Sequence, residues 1–130
     1  KFALVESILK EDWIEKYQIA FEKISVQKRI EDILLTILSL IREFRKENQS
    51  VFSSYKGEGF GNYYIRLHFS FVRQIEELWK VGTYSFHFTE EENHMISEMI
   101  LIQSRDETIS FQTLCSMIAH IAEAKHESEL

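Results

Sequence analysis

The sequence predicts an all-α protein, a helical bundle of about five to six helices. Three observations carry that expectation. Apolar residues recur every three or four positions in successive stretches, the spacing that gathers them on one side of a helix. The 130 residues include no proline, the residue that removes a backbone donor and breaks a helix interior. Thr89-Glu90-Glu91-Glu92 reads as a capping box with three acids in one first turn, which satisfies orphan amides and complements the helix dipole.

The first helix is predicted from Phe2 to about Ile24, with Leu4, Val5, Ile8, Leu9, Trp13, Ile14 and Tyr17 on its stripe. Ile19, Ala20 and Phe21 shift that stripe and predict a break or kink between Gln18 and Ser25. Ser25 is suited to cap the second helix, which runs to about Lys46. Its stripe is Ile30, Ile33, Leu34, Ile37, Leu38, Ile41 and Phe44, widened by Leu35 and Leu40. A helix apolar over most of its circumference belongs at the centre, wrapped by its neighbours. Asn48-Gln49-Ser50 predicts a turn, and Val51 to Tyr55 a short helical piece.

Gly57-Glu58-Gly59-Phe60-Gly61 predicts a loop or hinge. The Lys and Ser/Thr of a phosphate-binding loop are missing from it. A long helix follows from Asn62 to about Val81, with Ile65, His68, Phe69, Val72, Ile75, Leu78 and Trp79 inward and Gly82 as its C-cap. Thr83 to Phe88 reads as an extended linker. The capping box then opens a helix to about Ser104, Arg105 to Thr108 make a polar turn, and a last helix spans about Ile109 to Ala124.

The length predicts a single all-helical domain over residues 1–130. A net charge of −6 makes the chain a poor stand-alone binder of nucleic acid. One cysteine, Cys115, excludes an internal disulfide and suits a cytoplasmic location. No apolar run approaches the length of a membrane span.

No catalytic residue, metal site or cofactor is expected. The five histidines are scattered. Glu91 and His94 have the Glu-x-x-His spacing that a di-iron bundle needs on two helices together with further glutamates on two more. Cys115, between Leu114 and Ile118, reads as a small hydrophobe.

Two groups of residues are candidates for function. The segment Phe60 to Phe71 places aromatics on several faces of one helix, and these cannot all serve the same core. Tyr64, His68 and Phe71 lie on adjacent turns and, with Phe60, can wall a ligand pocket with a polar handle. Core packing is the alternative for each of them. The second group is Met95, Met99 and Ile102 on one helix with Leu114, Met117, Ile118 and Ile121 on the next. This apolar hairpin either packs internally or pairs with its copy in a symmetric dimer.

Three stretches carry a resemblance to a known family: Lys1 to Leu9, Ile30 to Phe44, and the corner Asn48-Gln49-Ser50-Val51-Phe52. They resemble, in order, the helix that leaves the DNA-binding unit, an early helix of the regulatory half, and the turn after it in the tetracycline-repressor family. The resemblance implies the effector-binding and dimerisation domain of a bacterial transcriptional repressor. It implies central helices around a small apolar or aromatic effector, and a homodimer built by the last two helices as a dimerisation hairpin. DNA would be read only through an N-terminal helix-turn-helix that this chain lacks. No ligand-binding residue carries over from the family. A helical protein–protein interaction module without a cavity is the main rival; a metal protein or enzyme on the same bundle is the other.

Overall fold

Helix formation follows the apolar spacing closely. The computed structural model describes residues 3–50, 60–106 and 108–129, with side chains at 7–50, 69–106 and 108–124. Among the described residues five α-helices and one 3₁₀ turn follow in order: α1 (Ala3–Ile24), α2 (Ile30–Glu47), α3 (Phe60–Gly82), the turn Tyr84–Phe86, α4 (Glu90–Arg105) and α5 (Phe111–Glu129). There is no strand among the described residues, and the predicted all-α class holds.

The second helix is the hub. It buries Ile33, Leu34, Ile37, Leu38, Leu40, Ile41 and Phe44 and touches α1, α3, α4 and α5. Those four also touch in sequence, α1 on α3, α3 on α4 and α4 on α5, so they form an open ring around it. The expectation of nearly complete wrapping needs correction. Glu31, Asp32, Leu35, Ser39, Glu43 and Lys46 are exposed at helical spacing along one side. All but one of these are polar or charged, which is why this seam stays in water. The exception is Leu35, predicted to widen the buried stripe yet 51% exposed, whereas Leu40 is buried as expected.

Polar ties register the hub against its neighbours. Arg42 Nη2 donates to Gln103 Oε1 at 2.9 Å and Arg45 Nη1 to Ser104 Oγ at 2.7 Å, joining α2 to α4. At the same C-terminal end of α2, the Lys16 ammonium binds Asp12 at 2.7 Å and also reaches Glu47. Asn48, buried just beyond α2, donates to Asp12 Oδ2 at 2.7 Å and to the Phe44 carbonyl at 2.9 Å. A buried amide must find such partners, and here they come from two helices at once.

Several local expectations change. Ser25 does not cap α2; its hydroxyl donates to the Glu22 carbonyl at 2.8 Å and finishes α1. The predicted break before Ser25 is absent, for α1 runs unbroken to Ile24. Ile8 and Ile14, expected on the stripe, are exposed, and so are Ile19 and Phe21 where the stripe shifts. Phe60 and Gly61, expected in a loop, already belong to α3. The expected helical piece at Val51 to Tyr55 and the glycines Gly57 and Gly59 lie outside the described residues.

Gly82 closes α3 for a reason other than a left-handed cap. A Cβ there would sit 2.8 Å from Ile24 Cγ2 and 2.9 Å from Ile33 Cγ2, so the position needs a residue without a side chain. The left-handed backbone falls instead at His87, with φ 56° and ψ 42°. That residue ends the 3₁₀ turn, which replaces the expected extended linker. The capping box forms in full: the Glu92 amide donates to Thr89 Oγ1 at 3.1 Å, and the Thr89 amide to Glu92 Oε1 at 2.8 Å.

Candidate functional site

The two groups of residues singled out by the sequence meet different surroundings. Phe60, Tyr64 and His68 lie on α3, and their side chains fall outside the described ones. Phe71 is half-buried and stacks on Trp13, with ring centroids 4.5 Å apart at 26°. Phe44 meets Phe71 edge-on at 5.3 Å and Trp13 at 5.1 Å. The three rings fasten α1, α2 and α3 together, and the Trp13 indole N–H adds a hydrogen bond to Gln74 Oε1. Phe71 therefore has a packing role in its own right. Phe69, expected inward, is exposed.

The last two helices divide their apolar residues between two sides. Leu114 and Ile118 of α5 are buried in the chain's own core, beside Ile96, Ile100 and Leu101 of α4. Met99 and Ile121 are half-buried. Met95, Ile102 and Met117 are exposed at 48, 42 and 44%. Met95 and Ile102 are two helical turns apart and so share one outward face of α4. The hairpin is thus apolar inside and partly apolar outside.

A pocket that sequence reasoning missed lies between the end of α3, the 3₁₀ turn and the start of α4. Its volume is about 310 Å³. The exposed ring of Tyr84 lies 6.3 Å from that of His87 on one wall. On another, the half-buried Phe88 leans on Trp79 at 6.0 Å. Thr83 and Asn93 form the buried side, where the Thr83 hydroxyl donates to the Trp79 carbonyl at 2.6 Å. An ion pair of Lys80 and Glu90, 2.7 Å apart, stands at the pocket. Its hydrogen bond holds the Lys80 ammonium above the usual lysine range. Among the described residues two fully buried polar atoms have no hydrogen-bond partner, Trp79 Nε1 and Asn93 Oδ1. The available sequence signal was slight. Asn93 stands where the capping box's helix turns its buried side inward, a place where an amide is unusual.

A second groove, also about 310 Å³, runs between α1 and α2. Ala20 and Leu40 are buried beneath it, Ile19 and Leu35 are exposed along it, and Lys16, Lys23 and Glu43 contribute charge.

Burial pushes the Cys115 thiol up, with help from the Glu31 charge, so the sulfur stays protonated and is a poor nucleophile. His94 Nδ1 pairs with Glu76 of α3, and its Nε2 lies 4.0 Å from Glu98, an arrangement that links α3 to α4. Among the described residues no three His, Cys, Asp or Glu side chains gather as metal ligands. No helix among them is long and apolar enough to cross a membrane. Comparison of the chain with family models, with curated proteins and with solved structures finds no match.

Proposed function

We propose that this chain is the regulatory part of a transcriptional repressor resembling the tetracycline-repressor family, which takes a small apolar or aromatic effector and pairs with its own copy through α4 and α5. The observation that carries the reading is the two-sided hairpin. One side of it fills the core with Ile96, Ile100, Leu114 and Ile118, while Met95, Ile102 and Met117 stay exposed. Outward apolar residues on paired helices are what a self-complementary two-fold interface uses. Negative charge also suits a part that leaves contact with DNA to another unit. In such a regulator the effector acts by preferring one spacing of the two DNA-reading units.

Light scattering and sedimentation at tens of micromolar test the pairing. The expected result is a dimer that Met95→Glu with Ile102→Glu converts to a folded monomer. A wild-type monomer under those conditions overturns the reading. A second reading, a helical module that docks on another protein, is favoured by Ile19 and Leu35, which are exposed along the α1–α2 groove. It predicts that substituting those two residues changes partner binding without changing self-association.

A further inference from the structure

We draw no further inference here: the strongest candidate, the groove between α1 and α2 with Ala20 and Leu40 buried beneath it and Ile19 and Leu35 exposed along it, is an unpartnered apolar face, and nothing in the structure shows what covers it.

Discussion

Replacing Gly82 with alanine sets two opposed effects against each other at a single carbon. In an unobstructed helix interior the change stabilises by about 1 kcal/mol, because glycine loses more backbone freedom on folding, and the gain shrinks at a helix end. Here the new methyl would lie 2.8 Å from Ile24 Cγ2 and 2.9 Å from Ile33 Cγ2. Both isoleucines are fully buried in the core, so neither can swing into solvent to make room. Forcing an extra methyl into such a site costs about 1–3 kcal/mol. The steric effect wins, and the net loss is about 1–2 kcal/mol, lowering Tm by roughly 3–8 °C. Urea denaturation followed by tryptophan fluorescence at fixed protein concentration measures it. The same substitution in an Ile24→Leu background should cost less, since leucine lacks the branch methyl that faces Gly82, giving a coupling of about 1 kcal/mol. A Gly82→Ala chain more stable than wild type would mean that the last turn of α3 has space for a methyl, and the reasoning would be wrong.

Phe71→Ala should destabilise the ligand-free chain by about 3 kcal/mol, at the low end for a phenylalanine because the ring is only half-buried; unchanged stability in urea would mean that the stack on Trp13 holds nothing together. Lys16 sets an alkaline limit. Burial alone would lower its pKa, but hydrogen bonds to Asp12 and Glu47 outweigh that and raise it above the usual 10.5. Its contribution is therefore complete below that unfolded-state value and is lost as pH climbs through the higher folded one. Thermal melts from pH 9 upward should fall more steeply for wild type than for Lys16→Met, and parallel curves would contradict the linkage.

Local chemistry was legible wherever one stretch of chain decides the outcome. The helical class, the hub from Ile30 onward, and the capping box at Thr89 follow from spacing and from side chains within reach of their own backbone. Other features depend on what arrives from elsewhere, and the sequence could not show them. Leu35 is exposed because four neighbours form an open ring around α2, while Leu40 of the same helix is buried in the core. Gly82 looked like a cap by position, yet its reason is two isoleucines from α1 and α2 pressing on it. The pocket beside Asn93 has only a slight linear signature: it lies where α3 ends, turns through Tyr84–Phe86 and hands over to α4. Periodicity specifies which face of a helix avoids water, but only the packing of distant segments specifies what that face meets and where space remains.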